Sequence, residues 1–155
     1  MQGMSIRKAS QEDLEAVRAL FTLWVQEDIT YGEEVPSLEE FERGLQEIYF
    51  VAEYKNQIIG ILVATETFHT TALAMIPENT RVIHLEELYV HPIYRNQHIG
   101  SKLLEKLFSE AENRGVDHFL LYSGTKDWDK IIRFYKRHGF EPWYFQMFKR
   151  PKEIK

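Results

Sequence analysis

The pattern of apolar and polar positions along the chain changes period several times, and each change marks an element. Ser5–Ala9 reads as a short strand. Ser10-Gln11-Glu12-Asp13 follows as a capping-box-like start, with the serine hydroxyl meeting a free backbone N–H. Leu14, Val17, Leu20, Phe21 and Trp24 then recur at helical spacing and predict a helix with one face turned inward. Gln26–Pro36 is a polar, acidic connection. A second helix opens at Ser37, with Glu40 reaching back, and presents Leu38, Phe41 and Leu45.

Tyr49–Tyr54 and Ile58–Phe68 are β-rich runs joined through Lys55-Asn56-Gln57, which predicts a hairpin. Thr70–Asn79 is a loop, and Arg81–Val90 is a further strand ended by His91-Pro92. Ile99, Leu103, Leu104, Leu107, Phe108 and Ala111 form one helical stripe, stopped at Gly115. His118–Ser123 predicts a buried strand, Asp129–Arg137 a short helix ending at Gly139, and Trp143–Phe148 a closing strand. The order β-α-α-β-β-β-α-β-α-β implies an α/β fold, a mixed central sheet with helices on both faces.

Composition narrows the picture. A chain of 155 residues suits one domain, 1–155, without an internal linker or repeat. Hydrophobic content of 44%, with 14% aromatic, excludes disordered and fibrous classes. The net charge of −5 offers no broad surface for phosphates, so nucleic acid is not expected as a partner. Without cysteine there is no disulfide, thiolate-bound metal or thiol nucleophile. Met1–Arg7 lacks a signal-type apolar region, so a cytoplasmic setting is expected. Ile58–Ala64, the longest apolar stretch, is too short to cross a membrane as a helix.

The candidate chemistry gathers at Val90-His91-Pro92-Ile93-Tyr94-Arg95-Asn96-Gln97-His98-Ile99-Gly100-Ser101, a strand, a polar turn and a helix start. Free N–H groups at a helix N-terminus attract anions. Arg95 adds a cation, Gly100 permits close backbone approach and Ser101 offers a hydroxyl. An ordinary strand-to-helix turn with a surface arginine stands as the alternative reading.

Leu85-Glu86-Glu87-Leu88-Tyr89-Val90-His91-Pro92-Ile93-Tyr94-Arg95, followed by Ile99-Gly100-Ser101-Lys102-Leu103-Leu104, resembles the acetyl-coenzyme A motif of the GNAT superfamily of N-acetyltransferases. Ile132-Arg133-Phe134-Tyr135-Lys136-Arg137-His138-Gly139-Phe140 resembles that family's second hallmark, Phe-Tyr followed by Gly-Phe. The likeness is sharpest to diamine acetyltransferases, around Leu85-Glu86 and Phe134–Arg137. His98 stands where the family loop has its first glycine; if that position needs positive φ, histidine is strained there.

The resemblance implies a mostly antiparallel GNAT-like sheet and acetyl transfer from acetyl-CoA to an amine, by direct attack in a ternary complex. It implies backbone pairing of Leu88, Tyr89 and Val90 with the pantetheine arm. Asn96, Gln97, His98, Ile99, Gly100 and Ser101, with Arg95, would hold the pyrophosphate. Glu86 is the implied base and Tyr135 the implied acid. Strand alternation sends Glu86 and Glu87 to opposite sheet faces, one to the cleft and one to solvent or a salt bridge, with Glu86 preferred for the cleft. A free glutamate near pKa 4.3 is about six units too weak for an alkylammonium, so burial, a water relay or a later proton transfer must help.

For the acceptor, the resemblance points to the first interhelical connection. Glu27, Asp28, Glu33 and Glu34 would draw a cationic amine, and Trp24 and Tyr31 would supply apolar or cation–π contact. A solvated acidic loop is the competing reading. A small cationic amine is the first expectation for substrate; a protein lysine or N-terminal amine, and a non-catalytic acyl-CoA-binding module, are the rivals. No metal is implied: His69, His91, His118 and His138 are scattered at surface or turn positions. A homodimer through Trp143–Phe148 is a further expectation.

Overall fold

Alternating apolar residues on consecutive strands demand cover on both faces of a sheet, and the computed structural model shows how this chain supplies it. It describes residues 3–143, 146, 147 and 149. The elements are β1 (Met4–Lys8), α1 (Leu14–Glu27), α2 (Leu38–Gly44), β2 (Ile48–Tyr54), β3 (Gln57–His69), β4 (Thr80–Val90), α3 (Ile99–Arg114), β5 (His118–Leu121) and α4 (Trp128–Lys136). The strands lie in chain order in one sheet; only the β4–β5 pair is parallel.

One face carries Val17, Leu20, Phe21 and Trp24 of α1 and Phe41 of α2, packed on Tyr49, Val51, Ile61 and Tyr89. The other carries Ile99, Leu103, Leu104, Leu107 and Ala111 of α3, packed on Phe50, Leu62, Ala64, Ile83 and Leu85, with Phe134 and Tyr135 of α4 beside them. Helices therefore cover both faces, as the sequence order implies. Ser37 caps α2 as expected: its Oγ accepts from Glu40 N–H at 3.2 Å, and its N–H donates to Glu40 Oε2 at 2.7 Å. Lys55 and Asn56 are both left-handed, the conformation a two-residue hairpin requires.

Three local expectations change. Leu38 is exposed, because the short α2 buries only Phe41. β5 is half-buried rather than buried, since it is the outermost strand described on that side. The strand expected over Trp143–Phe148 lies largely outside the described residues, and with it the dimer expectation; Trp143, Gln146 and Met147, which are described, are not in a strand. Among the described residues no helix is long and apolar enough to cross a membrane.

Candidate functional site

The site begins where the sheet opens. β5 pairs with β4 only from Val82 to Leu85, so β4 runs on from Glu86 to Val90 without a neighbouring strand on that side among the described residues. His91 N–H donates to Ile59 O at 2.9 Å. Antiparallel alternation then aims Tyr89 and Glu87 at β3, while Leu88 and Val90 turn their N–H and C=O groups toward the open edge. Of the three residues expected to pair with a pantetheine arm, Leu88 and Val90 present backbone groups there; Tyr89 does not.

Beyond β4 the chain makes a single 3₁₀ turn, Pro92–Tyr94, and enters α3. Asn96 and His98 both have φ of 61°. The loop position at His98 thus does need the left-handed conformation, and the exposed imidazole makes no capping bond there. The first α3 carbonyl bond runs from Lys102 N–H to His98 O at 3.0 Å, which leaves the N–H groups of Ile99, Gly100 and Ser101 without helical partners. Gly100 serves packing more than phosphate approach, because an added Cβ would sit 3.3 Å from the Phe134 ring.

Arg95, expected at the pyrophosphate, is engaged with the protein in this structure. Its Nη1 and Nη2 donate to the two oxygens of Glu27 at 2.9 and 2.6 Å, its Nε donates to Val90 O at 2.9 Å, and its guanidinium lies over the Tyr89 ring at 5.2 Å. The Tyr89 hydroxyl donates to the same Glu27 carboxylate. Burial alone would raise the Glu27 carboxyl, but the bonds from Arg95 and Tyr89 outweigh it and hold it below the usual carboxylate range.

Several acceptor candidates make contacts within the protein. Trp24 is buried, stacks on Tyr89 at 4.7 Å and donates from Nε1 to Thr30 Oγ1 at 2.9 Å. Asp28 accepts from Lys126 Nζ at 2.5 Å, and that ammonium lies 4.9 Å from the Tyr31 ring centroid. Tyr31 N–H donates to Gly124 O at 2.8 Å, so the acceptor loop is pinned to the β5–α4 loop.

Glu33 is different. It lines a cavity of about 360 Å³ together with Glu86, Glu87, Phe41, Tyr49 and Val63. The expected separation of Glu86 and Glu87 is overturned by the register. Val63 faces Glu87 and Ala64 faces Leu85, which leaves Glu86 as the extra residue of a β-bulge. The bulge shifts the alternation by one, and both carboxylates reach the same cavity. Glu86 is exposed at its mouth and accepts from Thr65 Oγ1 at 2.8 Å. Glu87 is more buried: burial first, then the nearby charges of Glu33 and Glu86, push its carboxyl up to about 8. Burial alone pushes Glu33 up to about 7. Among the described residues no lysine or arginine lines this cavity.

Tyr135 packs between Phe134 and Phe140, at 5.1 and 5.5 Å. Burial and then the charge of Glu87 push its phenol above its ordinary value, so it stays protonated but is a weaker acid than a free tyrosine. Its hydroxyl makes no hydrogen bond among the described residues. The histidines are less scattered than their positions imply, since His69 Nε2 lies 3.2 Å from His84 Nε2 across β3 and β4. Among the described residues no group of three or more metal-ligating side chains forms.

Sequence reasoning missed the Glu27–Arg95 pair and the joint approach of Glu86 and Glu87. A long-range ion pair leaves no local signal, and the bulge has no glycine to mark it. The open β4 edge and the three free α3 amides together fit a nucleotide carrying a diphosphate and an extended amide-bearing arm.

The profile of the acetyltransferase (GNAT) family matches residues 14–140. The chain is similar to thialysine N-epsilon-acetyltransferase from Mus musculus, 40% identical over 60 residues, 38% of this chain and 34% of that protein. The match therefore spans about a third of the mouse relative's length. It is also similar to aminoalkylphosphonate N-acetyltransferase from Salmonella typhimurium, 28% identical over 152 residues, 96% of this chain and 92% of the other. In fold it is similar to a predicted acetyltransferase with acetyl-CoA from Clostridium acetobutylicum, with TM-score 0.69, 20% identity and coverage of 95% and 96%.

Proposed function

The chain belongs to the acetyltransferase (GNAT) family, and on that premise we propose that it transfers an acetyl group from acetyl-CoA to the primary amine of a small cationic molecule. One observation carries the choice of acceptor: five glutamates, Glu33, Glu34, Glu40, Glu86 and Glu87, line a cavity to which no lysine or arginine contributes among the described residues. Such an acidic pocket, more negative as Glu33 and Glu87 ionise at about pH 7 and 8, attracts an ammonium and repels a phosphonate or carboxylate. The aromatic walls, Phe21, Phe41 and Tyr49, suit a short methylene chain between two cationic groups.

When bound, acetyl-CoA supplies an activated acetyl thioester. The N–H groups of Ile99, Gly100 and Ser101 would hold the diphosphate, flanked by the exposed Asn96, Gln97 and His98. The Leu88 N–H and C=O and the Val90 N–H would pair with the pantetheine arm, Val90 O being taken by Arg95, and one of these N–H groups would polarise the reacting carbonyl. Glu86 meets the incoming ammonium at the mouth. Glu87, with a carboxyl near 8, is matched to taking its proton near neutral pH. The pair shares the base role first expected of Glu86 alone. Tyr135, whose hydroxyl has no hydrogen-bond partner among the described residues, serves as proton donor to the leaving thiolate. The chain has no cysteine to carry the acetyl group, which favours direct attack in a ternary complex.

The test is thiol release from acetyl-CoA across linear diamines, aminoglycosides, aminoalkylphosphonates and lysine peptides. Diamines are expected to turn over fastest. Preference for the peptides or the phosphonates would reject the acceptor reading. Coenzyme A uptake without release on any amine would instead mark a binding module.

A further inference from the structure

We infer that Arg95 shapes the diphosphate loop through Glu27 rather than touching the diphosphate, which makes Glu27 a positioning residue for the cofactor. The inference rests on the reading that this loop receives coenzyme A. All three guanidinium nitrogens already donate: Nη1 and Nη2 to Glu27, and Nε to Val90 O. The two side chains are only 26% and 20% exposed, so the pair is shielded and its charges cancel locally. Tyr89 fixes the arrangement from a third side, lying under the guanidinium and donating its hydroxyl to Glu27.

The loop needs such an anchor. Asn96 and His98 both sit at φ of 61° without being glycine, a conformation that asparagine and histidine tolerate better than most residues but that still favours glycine. The backbone bonds before the loop, Tyr94 N–H to His91 O at 2.9 Å and Arg95 N–H to Pro92 O at 3.2 Å, stop short of Asn96, and His98 is held only from the far side, where its O accepts from Lys102 N–H at 3.0 Å. What fixes the loop's near end is therefore the Arg95 side chain. Its partner is well placed to hold still. Glu27 ends α1, whose Val17, Leu20, Phe21 and Trp24 are buried, and Trp24 stacks on Tyr89 with planes 14° apart.

A direct phosphate role for Arg95 predicts the opposite response to one substitution. In that case Glu27 competes with the phosphate for the guanidinium, and Glu27→Gln leaves coenzyme A binding unchanged or tightens it. In the strut reading Glu27→Gln loosens the loop and weakens binding about tenfold, as Arg95→Gln does, and the double variant is no worse than either single one. KM for acetyl-CoA rises while kcat stays within about twofold.

Calorimetry with coenzyme A on the three variants reads the first prediction, and thermal melts confirm that each folds. Amide exchange of residues 96–101 in the ligand-free protein gives a second reading that needs no cofactor. Faster exchange in Glu27→Gln, with Tyr89→Phe intermediate, is expected. Unchanged exchange, tightened binding or additive losses would each overturn the strut. If wild type takes up no coenzyme A, the proposed function falls, and the exchange data still decide whether Glu27 holds the loop.

Discussion

Glu27 and Glu87 stand beside the same sheet face, both partly out of water, and their carboxyls move in opposite directions. Glu27 meets Arg95 and Tyr89 and is held below the usual range; Glu87 meets Glu33 and Glu86 and rises to about 8. Burial pushes both upward, so the sign is decided by what stands opposite. A carboxylate given a cation and a hydroxyl has its needs met by the protein and becomes a strut. One left among like charges keeps its affinity for a proton or an ammonium. Under the proposed function, this difference separates the side of the cleft that holds shape from the side that would do chemistry.

Removing the unpaired side's proton acceptor is the largest expected break. Glu87→Gln is expected to lower turnover by about 10²–10⁴-fold, the range for a lost general base, with coenzyme A affinity kept. Thiol-release kinetics check it; a near-wild-type rate would pass the base role back to Glu86, tested by Glu86→Gln. The wild-type rate should also rise through about pH 8 as Glu87 ionises, a limb absent from Glu87→Gln.

Tyr135→Phe comes next, with a loss of about 10²-fold in kcat. Because burial makes this phenol a weak acid, the loss should shrink when the leaving group is a more acidic thiol. An effect indifferent to the leaving group would make Tyr135 a packing residue.

Gly124→Ala tests how the acceptor loop is held. An added Cβ would lie 2.9 Å from the Tyr31 carbonyl oxygen, so the loop bearing Glu33 must move. The expected cost is about 1–3 kcal/mol of stability, with KM rising for the amine and not for acetyl-CoA. Equal changes in both constants would deny the loop its separate role.

Stability against pH gives a comparable effect. Glu33 and Glu87 hold protons more tightly folded than unfolded, where their carboxyls titrate near 4.5. Their contribution is full below that pH, declines as pH rises, and is gone above about 7 for Glu33 and about 8 for Glu87. Glu87→Gln should therefore flatten the fall and gain on the order of 2 kcal/mol at pH 8 after solvent screening. Denaturant melts across pH read this, and a slope unchanged in the variant would reject a raised Glu87. The smallest effect is His98→Gly, which relieves a left-handed histidine and should add about 1 kcal/mol without altering turnover at saturating substrates.

The apolar stripe from Ile99 to Ala111, the Ser37–Glu40 cap and the Lys55-Asn56 turn were legible because each is decided by residues within a few positions of one another. The positive φ at His98 was legible as a conditional, from the family pattern. Trp24 was misread as an acceptor contact because its helical spacing says that it faces inward, not that Tyr89 will cover it.

What the chain order determined by itself was the sheet, the helices on its two faces and the turn into a helix between Val90 and Ser101, since periodicity and capping are local properties of the polymer. What folding alone decided was which charges meet. Arg95 finds Glu27 across 68 positions. A one-residue bulge at Glu86 turns two adjacent carboxylates to the same face. Electrostatic fate depends on distance in space, and that is fixed only once strands have chosen their register.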